Sequence, residues 1–223
     1  MTRLQWGEIT RIVLTTALAR LAAFLALLAP VPALATQDDG QLWLYLVGVV
    51  PLEDGVVSTL EFSPRRRENA DQVLVRGSVD FRVAPGLDVG GGTAWVENAG
   101  GHEFRLHQQL QWATGPLQLR SRVEQRFFAG ADRAQLRLRQ RVQVTVPVAE
   151  RLRGILNGEL LYIAVPENRA QSARVDSWRL NAMASYRLSP RAELAAGYLA
   201  IYVPRPGPGD RLSHVPQIRL TLR

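Results

Sequence analysis

A chain of 223 residues with 47% hydrophobic side chains fits one domain, and a single large β-domain of about 200 residues is ordinary. The absence of Cys excludes disulfides and thiol-ligated metals; it names no compartment, since many exported proteins also lack Cys. A net charge of +7 raises nucleic acid or anionic membrane as partners, but the 27 cations are all Arg and are dispersed through alternating stretches instead of gathered in one patch. A coding bias and a preference for the planar, bidentate guanidinium both account for the lack of Lys.

In chain order, Arg3, Arg11 and Arg20 precede the apolar run Leu21 to Ala29, and Pro30-Val-Pro-Ala-Leu-Ala35 supplies an Ala-x-Ala pattern. Basic region, short apolar core and small-residue site in that order predict a signal peptide over 1–35, cleaved after Ala35. The apolar core is shorter than the roughly 20 residues a spanning helix needs. Residues 36–223 are then the mature domain.

Leu42 to Val50 is apolar on both parities and reads as a strand of weak sidedness; Val56 to Phe62 follows after a turn and runs into the solvated Pro64-Arg-Arg-Arg67. Alternation becomes clean at Gln72 to Val83, where Val73, Val75, Val79, Phe81 and Val83 oppose Gln72, Arg76, Ser78, Asp80 and Arg82. Leu87 to Val96 contains Gly90-Gly-Gly92, which no Lys-Ser/Thr follows, so a strand kink or close packing fits better than a phosphate cradle. Glu103 to Trp112 alternates Phe104, Leu106, Leu110 and Trp112 with Glu103, Arg105, His107, Gln109 and Gln111.

Leu117 to Val146 is the most strongly patterned stretch. Arg120, Arg122, Glu124 and Arg126 share one parity, Leu117, Leu119, Val123 and Phe127 the other, and Arg137, Arg139 and Arg141 continue the polar row after the turn-like Ala129-Gly-Ala-Asp132. Leu152 to Ala164, Val175 to Leu188, Ala192 to Val203 and His214 to Arg223 complete the pattern, with Glu159 on the polar side of the first of these.

Eleven candidate strands without a convincing helix, each clear run long enough for a tilted crossing, predict an all-β, up-and-down antiparallel transmembrane β-barrel of about 10–12 strands. Bacterial single-chain barrels have even strand numbers, which favours ten or twelve and makes Leu42 to Val50 the suspect segment. Short connections alternate with mostly longer ones, as periplasmic turns and outer loops do. Export, a strand count above eight, and Trp43, Tyr45, Phe81, Trp95, Phe104, Trp112, Phe127, Trp178, Tyr186, Tyr198 and Tyr202 mostly near run ends place lipid outside and the polar parity in the lumen.

Extrapolation from a two-residue Thr114-Gly115 turn sets Arg105 opposite Glu124 and Glu103 opposite Arg126; Glu124 can also reach Arg137 or Arg139, Glu159 the same arginines, and Arg82 can face Asp88. Glu103, Glu124 and Glu159 would hold apart Arg105, Arg120, Arg122, Arg126, Arg137, Arg139 and Arg141. Two outcomes follow: a lumen plugged by Arg-Glu ladders, or a basic passage that favours carboxylate or phosphate.

Arg120-x-Arg122-x-Glu124-Gln-Arg126 followed by Arg137-x-Arg139-x-Arg141, Gly158-Glu-Leu-Leu-Tyr162 and Gly197-Tyr198 resemble the domain-of-unknown-function family 2490 (DUF2490). The resemblance, from about Trp43 to Leu222, implies an exported bacterial outer-membrane barrel without an established activity. The end at Leu220-Thr-Leu-Arg223 departs from the terminal aromatic residue common in such barrels.

An outer-membrane phospholipase or deacylase would need Ser and His together on the lipid-facing rim; Ser213 and His214 adjoin but point to opposite faces, and His102, His107 and His214 are scattered. No catalytic residues, metal site or cofactor are therefore expected, and His107 is expected to form lumen hydrogen bonds. Trp and Tyr lie opposite the arginines instead of interleaving with them, against nucleic acid. The expected partners are outer-membrane lipid, the barrel-assembly machinery during biogenesis, and small anions. A soluble periplasmic ligand-binding barrel, inside-out in the same pattern, is the remaining alternative.

Overall fold

The computed structural model describes residues 37–68, 70–205 and 209–223; the signal-peptide segment lies outside them. Eleven strands form: β1 (Gln37–Glu53), β2 (Val56–Arg67), β3 (Gln72–Ala84), β4 (Leu87–Asn98), β5 (Gly101–Thr114), β6 (Leu117–Phe128), β7 (Gln135–Pro147), β8 (Leu152–Val165), β9 (Arg174–Ser189), β10 (Ala192–Val203) and β11 (Arg211–Leu222). Consecutive strands pair antiparallel, and β1 pairs with β11 in parallel to close the barrel. Every strand has at least 12 residues, more than the roughly 9–11 a tilted strand needs to cross hydrocarbon.

The closure corrects the expectation of an even count. Parity is forced only when every neighbouring pair is antiparallel; one parallel pair permits eleven. That seam is interrupted: its register runs to Gly40–His214 and resumes at Trp43–Gln217, and between them lies Pro216, which has no N–H to donate.

The suspect first segment is a full strand. Leu42, Leu44, Leu46 and Val50 face outward, while Trp43 and Val47 are buried inside, Trp43 packing with Leu199, Ile201 and Val215. Both faces of this segment carry apolar side chains, so period-two alternation has nothing to register. Trp43 and Tyr45 are thus lumen residues, not members of an aromatic girdle. The other aromatics named from the sequence lie on the outward parity. Trp95, Phe104 and Phe127 form a row across β4, β5 and β6, with Trp178 beside Tyr202 at the same end.

Asp54-Gly55, Pro85-Gly86, Gly115-Pro116, residues 148–151 and Pro190-Arg191 all turn at one rim. Gly55 and Gly86 adopt φ of 76° and 73°, the left-handed region that a side chain disfavours. The opposite rim carries the loops at 99–100, 129–134 and 166–173, together with the ends of β2, β3, β10 and β11 that face it. The glycine run of β4 is a close-packing device: a Cβ on Gly90 would lie 2.5 Å from the Val79 carbonyl oxygen, and one on Gly92 2.1 Å from that of Gly77.

Candidate functional site

Strand alternation sends one parity of β5, β6 and β7 inward, and the arginines and glutamates occupy it. Their pairing differs from extrapolation by one step, because the turn is Gly115-Pro116 and Thr114 already pairs with Leu117. Arg105 therefore faces Arg126, His107 faces Glu124, and Glu103 faces Phe128. Long side chains recover the expected ion pair along the diagonal. Glu103 accepts from Arg126, and from Arg105 on its own strand at 2.6 and 2.7 Å.

Glu124 is 1% exposed and takes hydrogen bonds from Arg137 at 3.0 and 2.6 Å and from Arg139 at 2.8 Å. Arg122 stands 3.6 Å from the same carboxylate and donates to Gln109. Glu159 on β8 holds Arg120 at 2.7 Å and Arg139 at 2.7 Å. Arg139 thereby bridges two carboxylates. Arg141 contacts Gln118 at 2.9 Å. The expected Arg82–Asp88 pair forms at 2.6 Å near the short-turn rim. Forked guanidinium-carboxylate bonds of this kind fix orientation as well as charge.

The ladder also contains like charges directly opposed, Arg120 with Arg141 and Arg122 with Arg139. Such pairs repel; Glu124 stands near both Arg122 and Arg139, whereas Glu159 bonds Arg120 but not Arg141.

Several interior residues escaped the sequence reading. Asp176 bonds Arg137 at 3.0 Å; it occupies a bulge where pairing jumps from Leu161–Ser177 to Tyr162–Val175, and bulges leave no trace in simple alternation. Arg65 lies 3.9 Å over the Trp43 ring and Arg219 4.6 Å over that of Tyr45, cation–π contacts that the inward placement of those aromatics made invisible. Arg76 approaches Glu61 at 3.7 Å. Parity could have found Arg219, which alternates with outward Ile218 and Leu220.

The histidines go separate ways. His107 is buried inside, and among the described residues its Nε2 has no partner, which departs from the expected lumen hydrogen bonding. His102 stacks on Trp95 at 4.8 Å. His214 faces outward, bonded to the Tyr198 hydroxyl and 3.6 Å from Asp38, while Ser213 faces inward and donates to Asp39 at 2.8 Å. A cavity of about 480 Å³ opens at the long-loop rim, lined in part by Glu103, Phe128, Asp132 and Glu167.

The family described as "Protein of unknown function (DUF2490)" matches residues 40–212, from the fourth rung of the seam to the start of β11. The chain belongs to DUF2490. No curated protein matches it. Among solved structures, this DUF2490 member is similar to one of the NanC porin, with 15% identity and a TM-score of 0.52 over 72% of this chain and 80% of that one. That likeness establishes the porin-like barrel fold, and the outward apolar rows agree with a transmembrane barrel.

Proposed function

We propose that this DUF2490 protein is an outer-membrane β-barrel, exported by a cleaved signal peptide and inserted by the barrel-assembly machinery, whose arginine-rich interior restricts passive permeation to small anions. The observation that carries the proposal is the inequality inside the barrel: Glu103, Glu124 and Glu159 are each shared by at least two arginines, leaving an excess of fixed positive charge. Fixed cations lining a narrow hydrated passage admit anions and oppose cations. The paired ladder at the same time fills much of the interior and braces the wall, so conductance is expected to be small.

The arrangement of His102, His107 and His214 supports a non-enzymatic role, and the outward Leu, Val, Trp and Tyr rows support a lipid-embedded location. Bilayer recording tests the proposal. The purified protein should give small, anion-selective currents, and Glu124→Gln should raise the anion preference by removing a lumen negative charge. Cation selectivity, or a product recovered in the soluble periplasmic fraction, would sink it.

A further inference from the structure

Glu159 separates interior arginines that have a counter-charge from arginines that do not. Its carboxylate is bonded by Arg120 and Arg139. Its register partners on the flanking strands, however, are Arg141 on β7 and Arg179 on β9. Among the described residues neither has a carboxylate within 4.0 Å, and nor does Arg219 on β11. Among the described residues, the Nε–H groups of Arg120, Arg141, Arg179 and Arg219 are buried without an acceptor. A buried donor without an acceptor costs more than a hydrogen bond gains, and native interiors rarely leave several so close together.

Three of these groups share one region: Arg141 stands directly opposite Arg120, and Arg141 and Arg179 flank Glu159 on either side. The mechanism of selectivity proposed above uses their charge; it does not use their vacant donors.

We propose that Arg120, Arg141 and Arg179 form a binding site for a doubly charged tetrahedral oxyanion of the phosphate or sulfate type. This rests on the anion-favouring interior. The guanidiniums come from three strands, β6, β7 and β9, around the Glu159 position, and a tetrahedral anion meets them with separate oxygens, whereas a carboxylate presents two oxygens in one plane. A dianion also balances more of the unmatched charge than chloride does.

Equilibrium dialysis of the detergent-folded barrel against radiolabelled inorganic phosphate, at constant ionic strength in sodium chloride, tests the site. The expected result is saturable binding of one phosphate per chain, weakened at least tenfold in Arg141→Gln and in Arg179→Gln and unchanged in Arg82→Gln, whose side chain pairs with Asp88 at the rim. Heat-modifiable gel mobility checks that each variant is folded, and if Arg141→Gln does not fold, Arg179→Gln decides. No saturable binding by the wild type, or undiminished affinity in the folded variants, overturns the site. Anion-selective current without phosphate binding overturns the site and leaves the permeation proposal standing; phosphate binding at these arginines without current does the reverse.

Discussion

Glu124 on β6 stands directly opposite Arg137 on β7, and a single carboxylate oxygen accepts both the Nε and the Nη2 hydrogens of that guanidinium. The other oxygen accepts from Arg139. Glu124→Gln would leave two buried cations competing for one neutral amide. Removal of one partner from a buried ion pair costs about 3–5 kcal/mol, and because Arg137 keeps Asp176 and Arg139 keeps Glu159, a loss near about 3 kcal/mol is expected. Urea unfolding in detergent micelles measures it; a loss under about 0.5 kcal/mol, the size of an ordinary surface change, would contradict this account of the ladder.

Glycine positions should divide sharply. Gly92 lies with the Gly77 carbonyl where a Cβ would go, whereas nothing is within 4 Å of a Cβ on Gly158. Gly92→Val is expected to prevent normal pairing of β3 with β4 and to abolish heat-modifiable mobility. Gly158→Ala should fold normally and gain about 0.5 kcal/mol, since Gly weakens a strand interior. Equal behaviour of the two variants would refute the close-packing role of Gly92.

The parallel seam makes a prediction that no even-stranded barrel shares. Gly40 and His214 are register partners on β1 and β11, a separation of neighbouring strands that suits a disulfide. In the double variant Gly40→Cys, His214→Cys, mild oxidation should link the two positions only in the folded barrel. Digestion and mass spectrometry identify the linked peptides, and their absence from folded protein would rule out this closure.

Outward residues should behave as lipid-facing ones. Val142, near the middle of β7, is 45% exposed. Val142→Arg is expected to destabilise the barrel in phospholipid vesicles by about 2–4 kcal/mol, the cost found for Arg near the bilayer midplane. Unfolding titrations in vesicles check this; a variant as stable as the wild type would count against lipid contact at that position.

How much was legible followed from what surrounds each strand. β3, β5, β6 and β7 meet apolar surroundings on one side and a charged interior on the other, so their alternation marks both their ends and their sidedness. Leu42 to Val50 of β1 is apolar on both faces, and its inward Trp43 looked like a girdle residue because a periodic pattern cannot tell lipid from a packed interior. The Glu103–Arg126 pair survived an error of register because both side chains are long enough to meet diagonally, whereas the expected Arg105–Glu124 pair did not, Arg105 bonding Glu103 instead. Asp176 was hidden by a bulge, and the Arg120–Arg141 repulsion by the expectation that register partners would be complementary.

The odd strand number carries a topological consequence. β1 and β11 run in the same direction, so the chain enters the barrel wall at Gln37 on the long-loop side and leaves it at Leu222 on the short-turn side. In an even-stranded barrel the two ends of the wall share a compartment. Here a protease or an antibody confined to one side of the bilayer would meet one end of the wall and never the other.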